Sequence, residues 1–351
     1  MLAMLVLGCS REERANPVEP ALDAPADPPA EASAPLATLT LSNPSDFPRV
    51  DEATFLVLDG LGVGPGTVSG MAVYDGDAML PSELVDADGD GDDDSLLFIA
   101  DYEAAGTRQF RVMPGDGAAD GLAKRTQAEV SIKEGGEWDG KVYKGGEFVN
   151  VEEVQQPPQY TDHSEFIRYE GPGIESDRVG YRVYLDWRNG FDIFGKKTTA
   201  MVLQDIGLDG YDSYHEPADW GMDILKVGDA AGIGGYGYWD GEKLIRVEDT
   251  GRRSVRVIEN GDLFSSMAID YPDWQAGEHE TDLEALLSMT AGSRLVRVRL
   301  QAEEADWPNL AVGLVKHPDA ELIEGDLEIS GHAWSYVASW GPQALSEDDL
   351  G

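Results

Sequence analysis

The sequence predicts a mainly β protein built of antiparallel β-sandwiches. Three observations carry this. Apolar residues recur with a period of two in many short runs, glycine (41 residues) and proline (19) punctuate those runs, and only one segment of the 351 residues has helical spacing. A period of two gives a strand with one apolar face. Short strands separated by turn residues pair with their neighbours, and two such sheets bury their apolar faces against each other.

The elements follow in order. The chain opens on MLAMLVLGC, an apolar run ending Val6-Leu7-Gly8-Cys9. A small residue before such a cysteine resembles the lipobox of bacterial lipoproteins, so residues 1–9 are expected to be a lipoprotein signal remnant with Cys9 as the lipidation site. No Lys or Arg precedes the run, which departs from that pattern. Cys9 is the single cysteine, so a disulfide framework and a CxxC metal or redox site are excluded. Residues 10–36 are rich in Pro, Ala and Glu and are expected to be a disordered tether. Strands are expected over 53–58, 71–80 (a hairpin turning at Asp75-Gly76), 95–100 and 107–113. Others are expected over 180–187, 254–259, 293–302, 310–317 and 332–340. The helical segment is 280–289, ETDLEALLSM, with Thr281 as N-cap. A smaller sandwich over 37–117 and a larger one over 118–351 is the expected division, at Pro114-Gly115-Asp116-Gly117.

Lys and Arg total 26 against 67 Asp and Glu, a net charge of −41. A surface of that sign repels phosphate backbones, so nucleic acid is excluded as a partner. Dense carboxylates also suit a saline environment, where they keep a surface hydrated. No segment after residue 9 approaches a membrane span in length, which leaves the N-terminal lipid as the expected membrane contact.

Asp86-Ala87-Asp88-Gly89-Asp90-Gly91-Asp92-Asp93-Asp94 fits D-x-D-x-D-G-x-x-D. In such a loop alternating carboxylates converge on one hard cation, and glycine permits the turn. Asp86, Asp88, Asp90, Asp92 and Asp94 are therefore expected to hold a structural Ca²⁺; a solvated aspartate turn is the alternative. No organic cofactor is expected. Gly232-Ile233-Gly234-Gly235-Tyr236-Gly237 lacks the residues of a phosphate loop, and no serine-hydrolase elbow or zincin motif occurs.

The block 160–223 interleaves aromatic and charged residues, the composition of a pocket for a polar ligand. His163 and His215 stand beside carboxylates, which suits them to proton transfer. Basic residues are scarce against acidic ones in this chain, so Arg168, Arg178, Arg182 and Arg188 are notable. Most are expected to pair with Glu170, Glu175 or Asp186, and Arg168 or Arg182 to clamp a ligand carboxylate. Alternation places Arg182, Tyr184 and Asp186 on one strand face, a wall suited to a sugar. Tyr169 joins the histidines as a possible acid or base. Glu170, Asp186, Asp212 and Asp219 are the carboxylates that hydrolysis would draw on. Tyr214, Trp220, Tyr236, Tyr238 and Trp239 offer flat faces for sugar rings, with plain core packing as the alternative for each.

These stretches resemble the bacterial family DUF4861. The resemblance rests on DHSEFIRYEGPGIESDRVGYRVYLDWRNGFDIFGKK, LQDIGLDGYDSYHEPADWGMDILKVG and PSELVDADGDGDDDSLLFIA, with KRTQAE, VGLVKHPDAE and AWSYVASWGPQ. It covers about 37–351. It implies a secreted or lipid-anchored protein of the cell envelope, similar to proteins found among enzymes that dismantle uronic-acid-rich polysaccharides such as pectin. It also implies a larger sandwich like the galactose-mutarotase supersandwich. The family supplies no catalytic residue to carry over. The expected function is a lyase or glycoside hydrolase acting on uronic-acid-containing oligosaccharides. The alternatives are a non-catalytic, calcium-braced glycan-binding lipoprotein and a purely structural envelope protein.

Overall fold

The computed structural model describes residues 34–64, 70–115, 122–303, 309–329 and 331–345. Cys9, residues 10–33 of the expected tether, and Asp116 and Gly117 of the expected boundary lie outside the described residues.

The first strands are β1 (Ala37–Ser42), β2 (Arg49–Val57), β3 (Met71–Asp75), β4 (Ala78–Leu80), β5 (Ser82–Val85), β6 (Ser95–Tyr102) and β7 (Thr107–Pro114). They form two antiparallel sheets in the orders β1-β7-β3-β4 and β2-β6-β5. Between the sheets, Val73, Leu96, Phe98, Phe110 and Val112 are buried together. Phe110 and Val112 alternate with less buried residues along β7, whereas β6 is buried on both faces, Leu96 and Phe98 turning to this core. The hairpin turn falls at Gly76, whose φ of +57° matches the expected site.

The larger sandwich continues with β8 (Thr126–Asp139), β9 (Val142–Val151), β10 (Glu153–Gln155), β11 (Gly173–Ser176), β12 (Val179–Val183), β13 (Phe191–Lys196) and β14 (Gly221–Asp223). There follow β15 (Ile233–Trp239), β16 (Leu244–Arg246), β17 (Ser254–Asn260), β18 (Phe264–Ala276), β19 (His279–Thr290), β20 (Arg297–Ala302) and β21 (Leu310–Leu314). A hairpin of β22 (Glu321–Ile329) and β23 (His332–Trp340) comes last. One sheet runs β14-β13-β12-β11-β8-β9 and another β10-β17-β18-β19-β20. Ala128, Val130, Ile174, Tyr181, Val183 and Phe191 of the first meet Val255, Met267, Ile269, Leu283, Ala285 and Leu287 of the second in one buried core. A third sheet, β16-β15-β21, joins the edge of the first through a bridge between Phe191 and Gly232. Gly232 has φ +70°, and a Cβ there would lie 1.7 Å from the Phe191 carbonyl oxygen, so only glycine fits.

The small sandwich is docked by shared burial: Val85, Leu97 and Ile99 pack with Leu263, Phe264 and Ala291. Glu83 accepts the backbone N–H groups of Asp262 and Leu263 at 3.1 and 2.9 Å. Arg125 spans Asp51 and Asp177 at 3.0 and 2.8 Å.

The expected helix over 280–289 is instead part of β19, an interior strand paired with β18 and β20. Thr281 caps nothing; its hydroxyl donates to the Glu303 carbonyl at 2.6 Å. Strand pairing on both sides leaves no room for a helix, and Thr281, Leu283, Ala285, Leu287 and Met289 alternate inward. The expected strand over 180–187 stops at Val183. Asp186 to Asn189 forms a turn, closed by Asn189 N–H donating to the Asp186 carbonyl at 3.2 Å.

Candidate functional site

The six-stranded sheet has an unusual outer face. Register places Glu129 opposite Gly173, Gly173 opposite Arg182, Arg182 opposite Asp192, and Phe194 opposite Asp223. Glu129, Arg182, Asp192 and Asp223 therefore all project away from the core, yet all are buried. The segment between β13 and β14 covers them, with Tyr169, Phe194, Val202, Leu203, Ile206 and Tyr214 in a second apolar cluster. Charges under such a cover must be paired.

The pairing centres on Arg182. Its Nε and one NH2 meet Asp192 Oδ2 at 3.0 and 2.6 Å, and the same NH2 reaches Tyr184 Oη at 2.6 Å and Asp223 Oδ2 at 3.1 Å. Its other terminal nitrogen donates to Tyr214 Oη at 2.9 Å. The guanidinium also lies 4.5 Å from the Tyr184 ring centre and 5.1 Å from that of Tyr214. Burial, together with the Asp223 carboxylate, pushes the Asp192 carboxyl up to about 7 in spite of Arg182. Burial pushes the Tyr214 phenol up to about 12 and the Tyr184 phenol well above its ordinary range.

The network reaches solvent at both ends. At one end His215 Nε2 lies 3.3 Å from Asp223 Oδ2, its ring 4.5 Å from the Tyr214 ring and its side chain 19% exposed. At the other, Arg188 stacks on Tyr184 at 3.8 Å, pairs with Glu170 at 2.9 Å and with Asp186, and is 12% exposed. Glu170 in turn accepts the His163 backbone N–H at 2.8 Å. The His163 imidazole, 69% exposed, lies 5.5 Å from the Tyr211 ring. Tyr211 packs on the cluster that holds Tyr214. A continuous strip thus runs from His163 over Tyr211 and Tyr214 to His215. Trp187, 37% exposed, lies beyond Arg188.

The backbone here is strained. His163, Glu165, Tyr169, Glu170 and Asn189 all have positive φ, between +37° and +68°. Each costs of order 1 kcal/mol for a residue with a Cβ, and such strain collects where surrounding structure holds a site in place.

The sequence-predicted residues divide clearly. His163, Arg182, Tyr184, Arg188, Tyr214, His215 and Asp186 belong to one connected network. Arg168 does not offer itself as a clamp: it is buried, paired with Glu129 at 2.6 Å, and donates to the Leu203 and Gln204 carbonyls at 2.8 and 2.5 Å. Arg182 is likewise consumed by buried partners. Arg178 reaches Asp51 of the small sandwich at 3.0 Å. Tyr169 is buried against Phe194. Trp220 packs edge-on to Phe194 at 6.1 Å, and Tyr236 is core, bonded to Tyr271 at 2.8 Å. Tyr238 is half-buried beside His279. Asp212, Asp219 and Trp239 are exposed and join none of these contacts. Asp192, Asp223 and Tyr211 also belong to the network, with no motif in the sequence to mark them. A carboxylate inside the apolar run Phe191–Phe194 was the available signal for Asp192.

In the aspartate loop, Asp86 is buried and its carboxylate accepts the N–H groups of Gly89, Asp90 and Gly91 at 2.6, 3.2 and 2.8 Å. One oxygen each from Asp86, Asp88 and Asp94 lie within 4.8 Å of one another; Asp90 and Asp92 do not join them. Gly89 and Gly91, at φ +84° and +100°, make the turn. The donor set and the turn fit a hard cation. A separate cleft of about 480 Å³ lies on the opposite face of β12, walled by Tyr181, Phe191, Tyr236, Leu300 and Val312. It brings no acid–base pair together, so the chemistry points to the His163–His215 strip.

A family model described as a domain of unknown function, DUF4861, matches residues 41–351. The "Uncharacterized protein P7" of Formosa agariphila is 24% identical over 332 residues, which cover 86% of this chain and 71% of that protein. No solved structure matches the chain.

Proposed function

The chain belongs to the DUF4861 family, and from that premise we propose a carbohydrate-active protein of the cell envelope that cleaves uronic-acid-containing oligosaccharides by elimination. The observation that carries the reading is the His215–Asp223 contact at the exposed end of a buried arginine network. Asp223 takes the Nε2 side of the ring, which leaves Nδ1 as the basic nitrogen.

Elimination needs a base, an acid and a cation near the ligand carboxylate. His215 Nδ1 removes the proton at C5. The electron pair forms the C4–C5 double bond, and the glycosidic C4–O bond breaks. Tyr211, whose oxygen accepts from Glu165 N–H at 2.8 Å, keeps its own proton for the departing oxygen. Arg188 meets the carboxylate through NH1, the guanidinium nitrogen that Asp186 and Glu170 leave without a partner among the described residues, whereas all three guanidinium nitrogens of Arg182 are occupied. Hydrolysis fits less well. It requires two carboxylates facing the ligand, whereas Glu170 and Asp186 are buried against Arg188. We further propose that Asp86, Asp88 and Asp94 hold a Ca²⁺ that braces their loop and takes no part in the reaction.

The test is absorbance of the unsaturated product after incubation with oligogalacturonates and other uronic oligosaccharides. His215→Ala and Arg188→Ala are expected to lose at least 100-fold in rate, and Asp212→Ala to retain it. Full activity in His215→Ala, or no product from any uronic oligosaccharide, overturns elimination. Retained binding without product would favour a glycan-binding role, for which the exposed Trp187 speaks.

A further inference from the structure

The last hairpin separates its residues by face. Register places Ile323, Gly325, Leu327 and Ile329 of β22 on the same side as Trp334, Tyr336, Ala338 and Trp340 of β23. Glu324, Asp326 and Glu328 occupy the opposite side together with Leu322 and Val337, and Glu321 and His332 stand at the first position of each strand on the apolar side. An amphipathic hairpin normally lays its apolar face on something. Here that face is open: Trp334 is 57% exposed, Tyr336 45% and Trp340 65%, with Ile323, Leu327 and Ile329 each more than a third exposed. A two-stranded hairpin is marginal by itself in water. The six large side chains leave on the order of 600 Å² of apolar surface uncovered, at or above the largest patch a typical monomer shows.

We propose that this face is a homodimer interface, in which the hairpins of two copies pack apolar face to apolar face about a two-fold axis. Burying one such patch from each copy removes roughly 1,200 Å², the lower limit of a specific, stable interface. A two-fold contact closes on itself, so a single patch suffices for both partners. The acidic faces then point outward on both sides. A glycan fits this surface poorly, because aliphatic Ile323, Leu327 and Ile329 fill the spaces between the rings and offer no hydrogen bonds to hydroxyls. An anionic membrane is disfavoured by the net charge of −41.

Sedimentation velocity of the full chain tests this. Wild-type protein is expected to give a dimer mass that strengthens with added salt, since screening relieves repulsion between two highly acidic copies. Leu327→Glu and Trp334→Glu are expected to weaken association at least 10-fold, with unchanged circular dichroism. Val337→Glu, on the acidic face of the same hairpin, serves as the control and retains the dimer. A monomer at all concentrations and salts overturns the proposal. So does a dimer indifferent to Leu327→Glu and Trp334→Glu, or quenching of hairpin tryptophan fluorescence by oligosaccharides or vesicles in a monomeric protein.

Discussion

His215 Nε2 and the Arg182 guanidinium share one oxygen, Asp223 Oδ2, at 3.3 and 3.1 Å. This couples the partly exposed imidazole to a buried cation through a single carboxylate. A carboxylate only accepts, so the proposed role of Nδ1 as base requires the neutral ring to carry its proton on Nε2. Asp223→Asn can present either its oxygen or its NH2 to the ring, and is expected to populate the other tautomer. Nitrogen-15 chemical shifts of the His215 ring read this directly. An unchanged pattern in Asp223→Asn would remove Asp223 from any positioning role.

Arg182 itself is predicted to be indispensable to the fold. Truncating it leaves Asp192 and Asp223 buried without their cation, and removal of one partner from a buried ion pair costs about 3–5 kcal/mol. Arg182→Ala is therefore expected to unfold at far lower denaturant than wild type. Loss of less than about 1 kcal/mol would mean that water reaches the carboxylates.

Asp192 predicts the direction of the pH dependence. Its folded carboxyl titrates at about 7, raised by burial and by Asp223. The unfolded chain ionises near the ordinary carboxylate value of about 4. A folded state that holds its proton more tightly gains stability that is full below about 4 and is lost as pH rises towards 7. The slope is at most about 1.4 kcal/mol per pH unit. Melting temperatures across that window are expected to fall less steeply in Asp192→Asn; an identical slope would contradict the assignment.

The aspartate loop separates two roles. Asp86→Ala strands the backbone N–H groups of Gly89 and Gly91, while that of Asp90 keeps Asp88 Oδ1 at 3.3 Å, and should cost about 1–3 kcal/mol whether or not Ca²⁺ is added. Asp88 is exposed, so Asp88→Ala should leave the calcium-free protein unchanged and abolish stabilisation by Ca²⁺. At 100-fold excess over Kd that stabilisation is about 2.7 kcal/mol. An equal rise in melting temperature in Asp88→Ala, or none in wild type, would argue against the metal site.

The strands were legible because most expose one face, which leaves the period of two visible. β19 was not: like β6 it is covered over much of both faces, but its apolar residues are spaced by Asp282, Glu284 and Ser288 rather than gathered in one short run. Leu286 lies on the outer side, with Cδ1 3.2 Å from where a Cβ on Gly89 would sit. Adding Leu286 to the inward set Leu283, Ala285 and Leu287 mimics helical spacing. The site was half legible for a related reason. Arginines in an acidic chain and a pair of histidines marked the block 160–223, but the Arg182–Asp192 partnership exists only once β12 pairs with β13. Local composition made a solvent-facing clamp of an arginine that pairing across the sheet turns into a buried anchor.

Strain at His163 predicts a trade between stability and activity. Its φ of +55° is unfavourable for a residue with a Cβ, while its side chain is mostly exposed and adds little packing. The backbone N–H that donates to Glu170 survives any substitution except proline. His163→Gly removes the strain but raises the entropy of the unfolded chain by about 0.5–1 kcal/mol, so the net gain should be no more than about 1 kcal/mol. The same change removes the imidazole from the Tyr211 end of the strip and should lower turnover of a cleaved oligosaccharide. Denaturant midpoint and rate, measured on one preparation, are expected to move in opposite directions. A destabilised His163→Gly would mean that the imidazole contacts outweigh the backbone strain, and that the positive φ there is not a cost borne for function.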